Sequence, residues 1–585
     1  MSFLQSSLLR TTCLALPLLL ITQGLLCANV IGEKSPLSTF NVSAKRIVWT
    51  SEHGVRNGET LLAKGTGQAS LVNVHKPCVL LPPTDTQAGG SILLDFGVQI
   101  AGDVEIYTAR TRSKTPPLVR VRLGESVAEA MSEVGEGHTA KNDHAIRDMV
   151  LTLPWLGKRI IGPSGFRFVR IDNVDPKLPV NLSEVRALLK VRDVPQIGSF
   201  ECDDERLNKI WQVGAYTVHL NMQEYLYDGI KRDRLVWVGD MHPEVSTINA
   251  VFGYNDVVPD SLDYIRDLTP ASKWMNNISS YSMWWILIHE QWWMHHGNHE
   301  YLEEQREYLK SLSLKLADLV GPDGTEQING KRFLDWPSSS NQQGVTAGLQ
   351  ALLVMTLEAS ERMLTVLGED ATAATCAEAA DRARLVVPDT NGSKSGAALL
   401  ALAKMRSPEL TAEDTLMTGG PTGISTFYGF YVLQALAKGG HADTAMDFIS
   451  EYWGAMLDLG ATTFWEDFNL EWAEGASPID ELVPEGGVDI HGDFGAYCYI
   501  GYRHSLCHGW ASGPTAFLSE TVLGITPLEP GFTKVSVAPQ LGKLKWAQGS
   551  YPTPHGPIQV RHERKADGTI DSKVDAPDGV TVIME

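Results

Sequence analysis

At 585 residues the chain is too long for one ordinary core, and roughly two to four domains are expected. Seventy acidic residues against 49 basic ones leave a formal charge of −21, which excludes a general binder of nucleic acid or anionic membranes, since those gather Lys and Arg against phosphate. With 43% hydrophobic and 20% charged residues it is not a disordered or low-complexity chain, and its 15 Trp beside 16 Tyr are rings of the kind that line sugar-binding clefts.

An apolar run from Leu14 to Leu26 follows Arg10 and ends at Cys27-Ala28-Asn29. Its basic flank, short length and small-residue exit read as a secretory signal over residues 1–28, so an exported protein, periplasmic or extracellular, is expected. The run is shorter than the about 20 apolar residues a bilayer span needs. Lipid attachment through Cys27 is the alternative, and Leu26 is a poor substitute for the small residue that attachment wants. No later segment is apolar enough to cross a membrane; the richest, Met283 to Met294, carries His289 and Glu290.

Residues 35–197 read as strands. Val119-Arg-Val-Arg-Leu123 and Phe166-Arg-Phe-Val-Arg-Ile171 alternate, and Gly, Pro and Asp punctuate the runs, which suggests a β-sandwich. After Phe200 the period lengthens. Asp203 and Asp204 can cap a helix carrying Leu207, Ile210, Trp211, Val218 and Met222, and helices follow at Tyr301–Val320, Val345–Leu367, Ala371–Leu385, Gly396–Met405 and Ser425–Lys438. Residues 198–525 can therefore close into a ring of helical hairpins. Alternation returns in Phe532–Val537, Ile558–Val560 and Val580–Ile583, so residues 526–585 read as a small terminal β-domain.

Beyond the signal region, Cys78, Cys202, Cys376, Cys498 and Cys507 are scattered and odd in number, so buried free thiols are expected rather than a disulfide framework. His242, His289, His491 and His508 fall in no metal-ligand spacing, and there is no phosphate loop, G-x-S-x-G or dinucleotide fingerprint; neither metal nor cofactor is expected. The four Trp of one helix, Trp284, Trp285, Trp292 and Trp293, read mostly as core, with His289 a satisfied core histidine.

Chemistry concentrates in the connectors. Tyr227 to Glu244 packs Asp228, Asp233, Asp240 and Glu244 against Lys231, Arg232 and Arg234 beside Trp237, with Gly229 and Gly239 allowing tight turns. Carboxylates held among cations near an aromatic face can orient sugar hydroxyls and protonate a leaving oxygen; an ion-pair cluster that fixes a helix start is the plainer alternative. Gly460-Ala-Thr-Thr-Phe-Trp-Glu-Asp467 sets Glu466 after Trp465, Asp335 precedes Trp336, and His508 stands near Trp510.

At these residues the sequence resembles the bacterial α-L-rhamnosidases of glycoside hydrolase family 78. The likeness runs through Val119–Ser126, Asn142–Asp148, Gly198–Cys202, Asp228–Asp240, Phe333–Trp336, Ala461–Glu466 and Ser505–Trp510, in order. It implies an all-α (α/α)6 barrel flanked by an N-terminal β-sandwich and a small C-terminal β-sandwich, and inverting release of terminal L-rhamnose from a carbohydrate substrate. In the family pattern, roughly D-C-P-Q-R-D-E-R-L-G-W-T-G-D, the Glu is the general acid. Here that Glu is absent and the segment is one residue shorter.

By this resemblance Glu466 is the general base. Asp233 is the carboxylate left nearest the missing acid, and Glu244 is the reserve. Asp228, Asp240, Asp335 and His508 would hold hydroxyls, with Arg232, Trp237, Trp336 and Trp465 completing the sugar-binding set. Two other readings stand beside it: a lyase on the same scaffold cleaving rhamnosyl-glucuronate linkages, its substrate carboxylate neutralised by Lys231, Arg232 and Arg234, and a glycan-binding protein without turnover.

Overall fold

A computed structural model describes residues 34–72, 76–111, 113–134, 141–495, 497 and 499–584. The export segment and Cys498 lie outside the described residues.

The front β-domain is built on one long strand. Ser91–Thr108 pairs with Gly157–Asn173 along most of its length, but its register shifts between Asp95 and Ile100 and again between Gly102 and Val104. These irregularities let its first half pair with Arg46–Thr50 and its second half with Val180–Arg192. Gly102 (φ 155°) is required where the strand turns, since a Cβ there would overlap the Leu188 carbonyl oxygen. Among the described residues nine strands are thus hydrogen-bonded into one antiparallel sheet, where a plain sandwich would hold two separate ones. It folds over its own core of Ile92, Leu94, Phe96, Val104, Val121, Phe166 and Val185.

Several helix starts follow capping chemistry. Asp204 caps Glu205–Asn221 by accepting from the N–H groups of Arg206 (2.8 Å) and Leu207 (3.3 Å), whereas Asp203 accepts from the Lys545 N–H. Gln342–Val366 and Lys394–Leu402 start two to three residues before their apolar periodicity does, because Asn341 and Ser393 supply the caps. The stretch expected as one helix from Tyr301 divides into His299–Glu304 and Arg306–Ala317. Trp284, Trp285 and Trp292 of Ser279–His296 are fully buried, and His289 shares a 2.8 Å hydrogen bond with the Trp285 carbonyl.

At the C-terminus, Trp546–Tyr551, Ile558–Arg564 and Ile570–Asp575 form a sheet whose edge strand is Ser199–Cys202, drawn from the chain leading into the helices. A smaller sheet joins Ile525–Pro527, Lys534–Val537 and Thr581–Met584. Apolar residues of these sheets, including Val535 and Val560, merge with the helical core, while the front domain keeps its own. Cys78, Cys202, Cys376 and Cys507 are buried free thiols. Among the described residues no helix is long and apolar enough to cross a membrane.

Candidate active site

The connector between Glu205–Asn221 and Met241–Val251 folds around the Asp228 carboxylate, which accepts from the N–H groups of Asp233 (2.8 Å) and Leu235 (3.0 Å). Gly229 and Gly239 allow this: a Cβ on the first would overlap the Arg232 carbonyl, and one on the second the Tyr281 ring. The turn presents Arg232 and Asp233 to the second expected segment.

Glu466 is anchored from both ends. Its N–H donates to the Ser505 carbonyl (3.0 Å), and its own carbonyl accepts from the Thr426 hydroxyl (2.7 Å) and the Trp510 indole (2.9 Å). Its Oε2 accepts from the Ser505 N–H (2.9 Å), and its Oε1 from Arg232 Nη2 (3.2 Å). The other arm of the same guanidinium, Nη1, donates to Asp233 Oδ1 at 3.0 Å. Because a guanidinium's two Nη atoms are about 2.3 Å apart, those two carboxylate oxygens lie no more than about 8.5 Å from each other. Glu466 is 4% exposed and the Asp233 side chain 21%, so Asp233 stands on the outer side of the pair.

His508 is ringed by acids: its Nε2 lies 3.6 Å from Glu466 Oε1, 3.8 Å from Asp228 Oδ2 and 3.9 Å from Asp240 Oδ2. Burial, helped by the Arg232 charge, pushes the imidazole well below its ordinary pKa, so it is neutral. Burial also pushes Glu466 up to about 8, against the opposing pull of Arg232 and the Ser505 N–H. Asp228 is raised to about 7 by burial and the Asp233 charge, and Asp240 well above the usual range by burial and Asp228. Asp240 Oδ1 accepts a 2.6 Å hydrogen bond from Tyr281, whose ring meets Trp237 edge-on at 6.1 Å.

The remaining expected residues are placed less uniformly. Glu244 is fully buried against Gly509, neither of its oxygens meets a protein hydrogen-bond partner, and burial holds it far above the usual carboxyl range, hence neutral. Trp336 stacks on Tyr497 (5.9 Å) and meets Tyr499 edge-on (6.2 Å); Tyr499 in turn lies under the Arg232 guanidinium at 5.7 Å. Asp335 is occupied by the Ser338 N–H (2.9 Å) and by the hydroxyls of Ser338 and Ser425, and it lines a neighbouring cavity. Trp465 departs from its expected sugar contact: its ring is buried in the core and meets Phe468 edge-on at 5.6 Å.

Lys231 also departs from expectation. Its ammonium lies 3.0 Å from Glu125 and 3.3 Å from Glu129 of the front domain and donates to the carbonyls of Tyr502 (2.9 Å) and His504 (2.8 Å). Its charge is therefore already balanced within the protein. Glu125, Glu129 and His491 are the one grouping among the described residues that could hold a metal ion, and Lys231 already supplies the countercharge there. Glu125 also accepts from the Leu506 N–H (2.7 Å), so the front domain grips the chain that anchors Glu466. Glu125, Tyr281, Tyr499 and Ser505 escaped the sequence reading as individual residues; Glu125 sits inside the Val119–Ser126 stretch, which was the available signal.

The chain is similar to known proteins in sequence and in fold. Residues 195–396 match the bacterial alpha-L-rhamnosidase 6 hairpin glycosidase domain, and residues 524–584 the bacterial alpha-L-rhamnosidase C-terminal domain. The alpha-L-rhamnosidase of Alteromonas sp. (strain LOR) is 26% identical, covering 71% of this chain and 47% of that protein; one from Formosa agariphila is 22% identical, covering 80% and 52%. The chain thus spans about half the length of these curated relatives. Among solved structures, the GH78 family rhamnosidase of Bacillus sp. GL1 superposes with a TM-score of 0.71 at 22% identity over 90% of this chain and 55% of that one. A rhamnosidase from Klebsiella oxytoca with rhamnose bound gives 0.66 at 18% identity, covering 85% and 98%. Two domain matches in chain order and a shared fold make this chain similar to the bacterial α-L-rhamnosidases of the GH78 type.

Proposed function

We propose that the chain is an exo-acting, inverting glycoside hydrolase that releases terminal α-L-rhamnose, or a closely related sugar, from a glycan or glycoside, and that its helices close as an (α/α)6 barrel between the two β-domains. The observation that carries the reading is the Arg232 fork, with Glu466 on one arm and Asp233 on the other.

Inverting hydrolysis needs a base and an acid on opposite sides of the sugar, with roughly 6.5–9.5 Å between them for a water. The ceiling set by the shared guanidinium is compatible with the lower part of that span. Glu466 takes a proton from the attacking water; Arg232 and the Ser505 N–H favour its ionised form. Asp233, on the outer side, delivers a proton to the leaving oxygen. Asp228 and Asp240 accept hydrogen bonds from ring hydroxyls, and neutral His508 orients among them. Trp237 and Trp336 offer apolar faces. Glu244, kept neutral by burial, is the reserve acid.

A lyase needs cations free to neutralise a substrate carboxylate. Lys231 is committed to Glu125 and Glu129, so the hydrolase is the better supported reading. The Arg10–Leu26 segment supports export to the periplasm or the medium. The test is hydrolysis of an aryl α-L-rhamnoside followed by NMR of the first-formed sugar. The β-anomer is expected; an α-anomer means retention, and an ultraviolet-absorbing unsaturated product means elimination.

A further inference from the structure

The segment that carries Glu466 rides on a second segment, residues 505–508. The Glu466 N–H donates to the Ser505 carbonyl (3.0 Å), the His508 N–H to the Phe464 carbonyl (2.9 Å) and the Thr463 hydroxyl to the Leu506 carbonyl (2.6 Å). Ser505, Leu506, Cys507 and His508 are all buried. The Ser505 N–H also reaches the Glu466 carboxylate itself, at 2.9 Å from Oε2. Where Ser505 stands therefore decides where that carboxylate stands.

The front domain holds this second segment. The Leu506 N–H, the next amide after that of Ser505, donates to Glu125 Oε2 (2.7 Å), and the Ser505 hydroxyl lies 3.4 Å from Glu125 Oε1. Glu125 is fixed in turn: its N–H donates to Glu129 Oε2 (2.7 Å), its carbonyl accepts from Gln99 Nε2 (2.9 Å), and its carboxylate lies 3.0 Å from the Lys231 ammonium. The same domain holds the start of the Glu466 segment, where the Gln99 N–H donates to the Thr462 hydroxyl (3.1 Å) and Arg167 to the Gly460 carbonyl (2.9 Å). Glu125 is 0% exposed, and burial raises it to about 7 against the pull of Lys231, so its placement is costly. An ion pair that only docked the domains could sit nearer the surface, as Arg46 and Asp480 do at 3.1 Å. Glu125 instead holds the amide beside the one that holds Glu466.

We propose that Glu125 is a positioning residue for the base: from the front domain it fixes the Ser505 and Leu506 amides and thereby the direction of the Glu466 carboxylate. This rests on the glycosidase reading and makes the front domain part of the catalytic machinery.

The test measures hydrolysis of an aryl α-L-rhamnoside, with and without azide, by wild type, Glu125→Ala, Glu125→Gln and Glu129→Gln, each checked for fold by circular dichroism. Glu125→Ala should lower kcat by about 10- to 10²-fold, the cost of displacing a reacting group by about an ångström. Azide needs no base and should recover part of that loss as rhamnosyl azide: its nitrogen bonds the anomeric carbon while the glycosidic C–O bond breaks and its electron pair leaves with the aglycone. A purely structural loss would not respond to azide. The acidic limb of kcat/KM should also move to higher pH, because a displaced Ser505 N–H no longer favours the ionised base, while Arg232, Asp228, Asp233, Asp240 and His508, which face Glu466, are all retained. Glu125→Gln keeps an oxygen for the Leu506 N–H and should keep most of the turnover. Glu129→Gln removes a charge from the same Lys231 network without the Leu506 contact, and should melt earlier yet turn over normally. If Glu125→Ala does not fold, Glu125→Asp, which keeps the charge but draws the oxygens back from Leu506 by one methylene, carries the same expectations. Undiminished kcat in the variant that folds, a loss that azide leaves untouched, or an equal loss in Glu129→Gln overturns the proposal. A wild type that hydrolyses no rhamnoside overturns the glycosidase reading, and the proposal with it.

Discussion

The protein buries two groups of carboxylates a few residues apart and balances them differently. At the interface with the front domain, Glu125 and Glu129 share Lys231, and Glu129 also meets Arg147 at 3.2 Å. In the cleft, Glu466 and Asp233 share the guanidinium of Arg232, Asp228 and Asp240 stand beside the same histidine as Glu466, and that histidine is neutral. The neighbours Lys231 and Arg232 thus serve opposite purposes, one closing a structural network and the other leaving a cleft short of positive charge. An uncompensated cluster of this kind costs stability and is kept where proton transfer needs it.

The sharpest way to break that contrast is Glu466→Gln. Hydrolysis of an aryl rhamnoside should fall by about 10² to 10⁴-fold, the usual loss for a general base, and azide, which needs no deprotonation, should restore part of it. Near-normal turnover would remove Glu466 from the base role. Stability should move the other way. Between the ordinary carboxyl range and about pH 8 the folded chain binds a proton that the unfolded chain has released, so this group's contribution to stability falls as pH rises through that window. The melting temperature of Glu466→Gln at pH 8 should therefore match or exceed wild type.

Asp233→Asn should cost about 10²-fold or more on alkyl rhamnosides, whose leaving oxygens need a proton, and much less on nitrophenyl rhamnosides, which do not. If Glu244→Gln shows this split and Asp233→Asn does not, the acid is Glu244.

On the structural side of the comparison, Lys231→Met strands Glu125 and Glu129 without their shared cation. Denaturant unfolding should show a loss of about 3 kcal/mol, typical of breaking a buried ion pair. A loss within about 0.5 kcal/mol, the range of ordinary surface changes, would show that the network is dispensable.

The smallest effect expected is a shift of pH profile. Glu466 must be ionised to act as base, so kcat/KM should drop as pH falls through about 8. Arg232→Gln removes the cation that favours the ionised form and should move that limb to higher pH. A limb that stays in place would separate Arg232 from the base.

Several elements were legible without coordinates because their signals are local. Alternation marked the strands around Val119–Leu123 and Phe166–Ile171, and Asp204 announced a helix start by its own side chain. The cluster from Asp228 to Asp240 and the isolated Glu466 were legible as chemistry because acids and cations crowd there beside Trp. Direction was not legible. Lys231 and Arg232 read alike along the chain, and only the packing of the front domain against the loop sends one ammonium to Glu125 and leaves the guanidinium to Glu466.

Trp465 and Asp335 teach the same point from the other side. Both residue types fit a sugar site, yet the core around Phe468 claims the indole, and Ser338 with Ser425 claims the carboxylate. Tyr281 carried no mark of its own, because a tyrosine hydroxyl becomes part of a site only when a distant segment meets it. By itself the sequence determined most elements, their order and which acids are candidates for chemistry, since periodicity, caps and residue chemistry act within a few residues. Which acids face one another and which cation serves which cluster were decided by tertiary structure, because those relations depend on contacts between segments tens to hundreds of residues apart.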